Sequence, residues 1–195
     1  MRILWITNIM LPESMQLLKG YGEHKSSGGW MIGAANALSK GDTIKLAIAT
    51  VSEDVKNLTV LCGERISYYL LPFGKGNLRE NSEYEPYWKK VKEDFQPDVV
   101  HIHGTEFSHG LAYINACGSE SVVVSIQGMK SAYYHYFYSG LTQWNIIRNL
   151  TFNDIIRGSA IRGKFQFKRQ STYEIDLLKK VHHVIGRTSW DKARR

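Results

Sequence analysis

Five apolar segments of strand length alternate with helical segments along the chain, and this order constrains the fold more than any other feature. The five are RILWIT (2–7), IKLAIAT (44–50), VVHIH (99–103), SVVVSI (121–126) and HHVIG (182–186). Continuous apolar character is typical of strands covered on both faces, as in parallel sheets. Strands that alternate with helices therefore predict an α/β fold with a doubly wound, mostly parallel, Rossmann-like sheet.

The remaining pattern completes one domain over residues 1–195. A length of 195 residues with 43% hydrophobic side chains allows a substantial single core. Residues 8–22 are predicted as a loop. The other predicted elements are strands over 57–61 and 66–71 and helices over 26–40, 82–95, 107–117 and 164–180.

The helix after the first strand begins with a pair of glycines, Gly28 and Gly29. Apolar residues at helical spacing, from Met31 to Leu38, predict one buried face, with Ser26 or Ser27 as the N-cap and Gly41 as the end. Glycines clear side chains from the exposed amides of a helix start, where an anion can bind. The GxGxxG order directly after a strand is missing, so a simple NAD site is not favoured.

Polar side chains and glycines follow the predicted carboxyl ends of the strands. They are Asn8, His103, Gly104, Gln127, Gly128, Arg187 and Thr188. In an open parallel sheet ligands bind beyond these ends, so the sequence predicts a site at this edge. Arg187 is interpreted either as a phosphate or carboxylate ligand or as an ion-pair partner of Asp191. Gln127 and Gly128 are either ligand contacts or a strand-ending turn.

His101 and His103 alternate along one strand and therefore point to the same face. Such a pair could bind a metal, but no further ligands show a suitable spacing, and no metal is predicted. We expect His101 to be hydrogen-bonded within the sheet and His103 to reach a ligand at the strand tip, where it can hold a proton near neutral pH. A metal-dependent hydrolase built on both histidines remains an alternative.

Positive charge is concentrated between residues 130 and 170, which hold seven basic residues and one acidic residue and are rich in aromatic side chains. This segment is either an ordinary solvated face or a surface for anionic lipid or phosphorylated substrates. The N-terminus shows no signal-peptide features, and Cys62 and Cys117 show no motif spacing. The chain is therefore predicted to be cytoplasmic, peripheral at the inner membrane face, with reduced thiols.

Several motifs, in order, resemble the N-terminal half of retaining glycosyltransferases of family 4, which have the GT-B fold. They are the RILWIT strand, the helix that starts at GGW, PDVVHIHGTEF, SIQGM and VIGRTSWDKA. Such enzymes pair two Rossmann-like domains across a cleft, and the resemblance implies that a second, donor-binding domain is absent after Arg195. The end of the chain within a helix is interpreted as a cut boundary.

The resemblance also implies roles for individual residues. Gly28, Gly29 and Arg187 would bind the donor diphosphate, and His103 would lie beside the transferring sugar as the catalytic residue. The acceptor side would be lined by Asn8, Gly104, Gln127, Gly128 and Thr188. The implied reaction transfers a sugar from a nucleotide sugar to a sugar or lipid-linked hydroxyl with retention, without metal or cofactor and without nucleic acid as partner.

A second hypothesis is a free-standing module that binds a sugar phosphate or a partner without chemistry. The length of the encoded gene product discriminates between the two hypotheses, since the enzyme needs a further α/β domain of roughly 180 residues. Substitution of Gly28 by valine is expected to leave the domain folded and to abolish transfer, because the helix face from Met31 to Leu38 is untouched.

Overall fold

The computed structural model describes residues 1–20, 28–73, 81–152, 154 and 159–193. Within them seven strands form one sheet. The strands are β1 (Arg2–Ile6), β2 (Lys45–Ser52), β3 (Thr59–Cys62), β4 (Ile66–Pro72), β5 (Val99–His103), β6 (Val122–Ser125) and β7 (His183–Ile185). All five apolar segments predicted as strands are strands in the structure.

Helices connect these strands, with eight α-helices in the described ranges. They are α1 (Pro12–Lys19), α2 (Gly29–Ser39), α3 (Asn81–Phe95), α4 (Ser108–Cys117), α5 (Lys130–Tyr133), α6 (Gln143–Arg148), α7 (Ser159–Lys180) and α8 (Ser189–Ala193). A 3-10 turn follows α5 at Tyr134–Tyr136. None of the described helices combines the length and apolar character needed to cross a bilayer.

The strand order is β3-β4-β2-β1-β5-β6-β7, and only the edge strand β3 runs antiparallel to its neighbour. From β1 the chain builds outward through β2 to β4, then returns to place β5 against the other side of β1. The order in which strands are added therefore reverses between β1 and β5, where Trp5 lies opposite His101. Ligands in doubly wound sheets bind at the carboxyl side of such a switch point.

Each face of the sheet has its own core because side chains alternate along a strand. On one face Leu4 and Ile6 pack with Trp88 of α3, Leu111 of α4 and Leu177 of α7. The opposite face carries Ile3, Trp5, Ile48 and Tyr68, which pack with Leu11 and with Met31 and Ala35 of α2. This double burial explains the continuous apolar character of the strands.

The predicted loop over residues 8–22 is wrong in its middle, where α1 forms. Pro12 at the first helical turn presets the backbone, Glu13 and Lys19 suit the two ends of the helix dipole, and Gly20 ends the helix with φ +83°. The helix is only eight residues long. The prediction missed it because such a short helix depends on packing more than on pattern.

The ends of α2 also differ from the prediction. Its N-cap is Gly28 and its C-cap is Lys40, so Gly41 does not end the helix. The proposed caps Ser26 and Ser27 lie outside the described residues. The predicted apolar face is confirmed, since Met31 and Ala35 are buried and Ala34 and Leu38 pack against the same core.

One buried carboxylate joins α7 to the carboxyl edge of the sheet. Glu174 is fully buried. Its oxygens accept hydrogen bonds from the Thr105 hydroxyl at 2.5 Å, the Ser131 hydroxyl at 2.5 Å, and the backbone amides of Ser131 and Lys130 at 2.9 and 3.2 Å. Two of these donors are backbone amides in the first turn of α5. Glu174 thus holds the loops after β5 and β6 in one arrangement.

Candidate functional site

His103 ends β5 beside the switch point, and the prediction that it shares a face with His101 is confirmed. The two rings lie 3.9 Å apart between centroids. His101 Nε2 and the Ser125 hydroxyl of β6 are hydrogen-bonded at 2.6 Å. The expectation that His101 is a hydrogen-bonded residue within the sheet is therefore confirmed.

His103 lies at the tip of β5, as expected, but its side chain is buried. It is only 4% exposed, because the Trp5 ring lies 4.6 Å away and the Trp30 ring of α2 lies 5.6 Å away, between centroids. Burial, with a smaller effect of His101, lowers the pKa of His103 to about 3. The imidazole is therefore neutral near pH 7 and does not hold a second proton there.

Both ring nitrogens of His103 and the Nε2 atom of Gln127 are buried without hydrogen-bond partners. In the described part of the chain four buried side-chain polar atoms lack a partner, and three of them are Nδ1 and Nε2 of His103 and Nε2 of Gln127. Buried polar groups are normally hydrogen-bonded, and leaving one unpaired costs about 1–3 kcal/mol. Such a concentration indicates a place where the polar atoms of a ligand can bind.

Gly104 and Glu106 lie in the loop that follows His103 at the end of β5. Gly104 has φ +96°, and a Cβ on it would lie 3.0 Å from Oε2 of Glu106 and 4.0 Å from Cδ of Gln127. A side chain at residue 104 would therefore be strained by its backbone and crowded by its neighbours. The Glu106 carboxylate accepts a hydrogen bond from the Thr105 amide at 2.9 Å. Burial raises the pKa of Glu106 despite that bond.

The start of α2 adjoins His103 through Trp30, whose side chain is 57% exposed. Gly28 adopts the left-handed conformation with φ +86°, and a Cβ on it would overlap Cδ1 of Ile9. By contrast, a Cβ on Gly29 would meet nothing within 4 Å. Gly28 is thus favoured by the turn itself, and a valine there would strain the backbone. The expectation that the domain stays folded with valine at this position stays a prediction. Gly29 has no such structural reason.

Arg187 and Thr188 follow β7 and come next to Gln127. The Arg187 guanidinium is exposed and donates a hydrogen bond to the backbone carbonyl of Gln127. The amides of Arg187 and Thr188 donate to the Asp191 carboxylate at 2.8 and 2.9 Å, and the Asp191 amide donates to the Thr188 hydroxyl at 3.2 Å. Asp191 therefore caps α8 through backbone amides, and the Thr188 hydroxyl is occupied in the same cap.

Residues Gly28–Trp30, His103, Gln127 and Arg187 form one connected set, which we call the His103 site. Trp30 connects α2 to His103, Gly104 lies against Gln127, and Gln127 accepts the hydrogen bond of Arg187. Gly128 lies at its border, where a Cβ would be 3.5 Å from the Tyr133 ring, an ordinary contact. Roles of these residues in binding or catalysis stay predictions.

Asn8 lies apart from this set, in an open cleft of about 1270 Å³ at the same edge of the sheet, which we call the α7 cleft. One wall is formed by α7, with Arg162, Phe165, Lys168, Arg169 and Tyr173. The other is formed by loops after β1, β2, β4 and β5, with Asn8, Glu53, Phe73, Glu106 and Phe107. Since Glu106 borders both Gly104 and the cleft, it connects the two places.

Sequence reasoning missed two residues of these sites and the contribution of one helix. Trp30 and Glu106 stand inside quoted motifs, GGW and HGTEF, but were not singled out. Glu106 follows a strand end within three residues, which is a usable signal for a ligand site. The contribution of α7 had no comparable signal, because it depends on where a distant helix packs.

The described side chains include no group of three or more His, Cys, Asp or Glu residues placed to hold a metal ion. A metal-dependent hydrolase built on His101 and His103 would need a third ligand, since catalytic zinc sites use three protein ligands. Two acids, Glu53 and Asp54, follow the end of β2. Asp54 forms an ion pair with Lys19 at 2.7 Å.

Acid is expected to destabilise the protein through its buried histidines, of which His109 is the clearest case. Its Nε2 faces the Thr7 carbonyl at 3.1 Å, and burial lowers its pKa from 6.5 to about 4. The unfolded state therefore binds the proton first, and stability is lost as pH falls from about 6.5 toward 4. At about pH 5 the loss from His109 is about 2 kcal/mol.

Urea unfolding at neutral pH and at about pH 5 measures this loss. The His109→Gln variant keeps an N–H donor and does not titrate, so its stability should fall by about 2 kcal/mol less than that of the wild type over the same interval. An equal fall in both proteins would show that His109 titrates normally in the native state.

Comparison with known proteins yields fold relatives only. No family model matches the chain, and no curated protein matches it. A solved UDP-GlcNAc 2-epimerase from Methanocaldococcus jannaschii matches 99% of this chain with 16% identity and a TM-score of 0.50. A sucrose-phosphate synthase from Thermosynechococcus elongatus matches 98% with 10% identity and a TM-score of 0.54.

These likenesses confirm the predicted fold class, a Rossmann-like α/β domain of the GT-B type. The chain spans 41% of the epimerase and 43% of the synthase, so it corresponds in extent to less than half of either protein. At such low identity they establish the fold and leave activity to be argued from the site.

Proposed function

We propose that this chain is the acceptor-side half of a glycosyltransferase that uses a nucleotide-sugar donor. With a second Rossmann-like domain across a cleft it would transfer a sugar to a hydroxyl, with retention at the anomeric carbon. One observation carries the proposal: the unpartnered ring nitrogens of His103 are buried beside Trp30 in the first turn of α2, at the switch point of the sheet. The unpartnered Nε2 of Gln127 lies in the loop after the neighbouring strand β6. The fold likeness supports the same class of enzyme.

In this proposal the donor diphosphate lies at the start of α2. When the bond between the sugar and the diphosphate breaks, the diphosphate keeps the electron pair and gains negative charge. Amides at a helix N-terminus stabilise such charge without a metal or cofactor, and the open space at Gly29 lets an anion approach them. Arg187, with its guanidinium exposed beside Gln127, would add a positive charge at the same edge.

His103 would contact the transferring sugar through a neutral imidazole. With its pKa lowered to about 3, the ring can donate one hydrogen bond and accept another at neutral pH, which suits sugar hydroxyls better than phosphate. Trp30 packs on this ring, so its indole would have to shift for a sugar to reach His103. Gln127, Gly104 and Gly128 would line the adjoining acceptor side.

The α7 cleft would receive the acceptor beyond these residues. Aromatic and charged side chains share its lining, with Phe165 and Arg169 on α7 facing Asn8 and Glu106 at the sheet edge. Small-molecule sites typically combine aromatic rings, which pack on apolar faces of the ligand, with a few polar groups that fix the orientation of the ligand. Thr188 would border the acceptor while its hydroxyl caps α8.

Activity of the full-length gene product toward a panel of UDP-, GDP-, ADP- and dTDP-sugars tests the function. We expect calorimetry to detect binding of one donor class, and a coupled assay to detect release of the nucleoside diphosphate with a suitable acceptor. Binding without turnover across a broad acceptor panel would favour the binding module. Neither binding nor turnover of any nucleotide sugar would overturn the proposal.

Gly29→Val is expected to reduce transfer by the full-length enzyme about 100-fold, because the new side chain would stand where the diphosphate approaches the amides. Stability should not fall, since a Cβ at residue 29 meets nothing within 4 Å and valine has a higher helix propensity than glycine. Gly33→Val is the matched control, because residue 33 lies on the same helix, also in open space. Similar kcat/KM values for both variants would remove Gly29 from the donor site.

A further inference from the structure

The chain between residues 141 and 152 exposes four large apolar side chains, and we call this stretch the apolar segment. Leu141, Trp144, Ile147 and Phe152 are between 57 and 77% exposed. Trp144 and Ile147 lie three residues apart on α6 and therefore share one side of the helix. Leu141 lies just before the N-cap of α6. Clustered exposed apolar side chains mark an interaction surface rather than ordinary surface variation.

Exposed cations surround the apolar segment. Arg148 ends α6, and Arg162, Lys164 and Lys168 stand on the first half of α7. The Leu141 amide donates to the Tyr138 carbonyl at 3.0 Å, and the Lys164 ammonium lies 5.2 Å from the centre of the Tyr138 ring. The apolar segment and the basic face of α7 are therefore parts of one surface. Asp154 is the one acid in the described part of 130–170.

We infer that this surface docks on an anionic lipid bilayer. Tryptophan with aliphatic neighbours inserts at the depth of the headgroups, while nearby Lys and Arg side chains bind anionic phosphates. A second copy of the chain would bring like charges together, which opposes self-association. Single-stranded nucleic acid stacks on aromatic rings, whereas two of the four exposed side chains, Leu141 and Ile147, are aliphatic and suit lipid better.

Docking would bring the α7 cleft to the lipid surface. Arg162, Phe165 and Lys168 line the cleft and belong to the same half of α7 as the basic face. A hydroxyl acceptor carried on a lipid could then enter the cleft without leaving the membrane. This consequence depends on the proposed function, whereas docking itself does not.

Co-sedimentation of the full-length protein with vesicles tests the inference. We expect more protein to bind equimolar phosphatidylglycerol and phosphatidylcholine than phosphatidylcholine alone, and binding to weaken as salt screens the charges. The double variant Trp144→Ser, Ile147→Ser should lower the partition coefficient about tenfold or more, because two exposed apolar side chains that would enter the lipid are removed. Arg148→Gln and Lys164→Gln should each lower binding to anionic vesicles about fivefold.

The double variant Leu17→Ser, Val60→Ser is the matched control, since it removes two exposed apolar side chains from α1 and β3. It should bind vesicles like the wild type, and all variants should keep the wild-type unfolding midpoint because the replaced side chains are exposed. Equal binding to anionic and neutral vesicles would overturn the inference, as would unchanged binding after Trp144→Ser, Ile147→Ser. A loss of oligomers in light scattering, with vesicle binding unchanged, would identify a self-association surface instead.

Discussion

Glu174→Ala should lower the free energy of unfolding by about 3–5 kcal/mol. The carboxylate is fully buried and accepts four hydrogen bonds, from Thr105, Lys130 and Ser131. Alanine would leave these donors buried without a partner, and each unpaired donor costs about 1–3 kcal/mol unless water enters. The loss should also loosen α5 and the loop after β5, because Glu174 is their common acceptor.

Chemical denaturation of Glu174→Ala, with Glu174→Gln and Asp176→Ala beside it, measures the effect. Glutamine keeps one acceptor oxygen and should lose an intermediate amount of stability. Asp176 is a partly exposed acid on the same helix, and its alanine variant should change stability by about 0.5 kcal/mol or less. If Glu174→Ala were no more destabilising than Asp176→Ala, the buried network would not hold α7 in place.

His103→Leu should produce opposite effects on activity and on stability. Transfer by the full-length enzyme should fall at least about 100-fold, because a hydrogen-bonding group beside the reacting sugar is removed. Stability should be unchanged or rise by about 1–2 kcal/mol, because both ring nitrogens are buried without partners and leucine has a similar size without polar atoms. A residue whose removal increases stability and removes activity is retained for function.

Steady-state kinetics and denaturant unfolding of the same preparations measure both effects. His183→Ala is a suitable control, since His183 is exposed on the last strand of the sheet. Wild-type turnover in His103→Leu would exclude His103 from the reaction. A large loss of stability would instead make His103 a packing residue between Trp5 and Trp30.

Most of the strands and the longer helices follow from hydrophobic pattern alone. β1, β2 and β5 are mainly apolar, and a strand buried on both faces leaves that pattern whatever its neighbours are. The short helix α1 was missed because eight residues carry too little periodic signal. The start of α7 was placed five residues late, and Arg162 and Phe165 near that start line the open cleft.

The site was predictable at the level of the sheet edge. Strand ends of a parallel sheet gather at one side, so His103, Gln127 and Arg187 were placed together correctly from the order of elements. Their environments were not predictable. The strand pattern does not reveal that Trp30, 73 positions before His103, covers the imidazole, or that Gly28 has a conformation that favours glycine.

The sequence by itself determined the α/β order, the double burial of the sheet and the edge at which polar residues meet. These properties depend on local periodicity and on the rule that successive strands run the same way. Only the tertiary structure decided which residues are buried at that edge and which partners they have. Burial and hydrogen bonding depend on contacts between residues distant in sequence, such as Glu174 with Thr105 and Trp30 with His103. Burial lowers the pKa of His103, and both of its ring nitrogens lack hydrogen-bond partners.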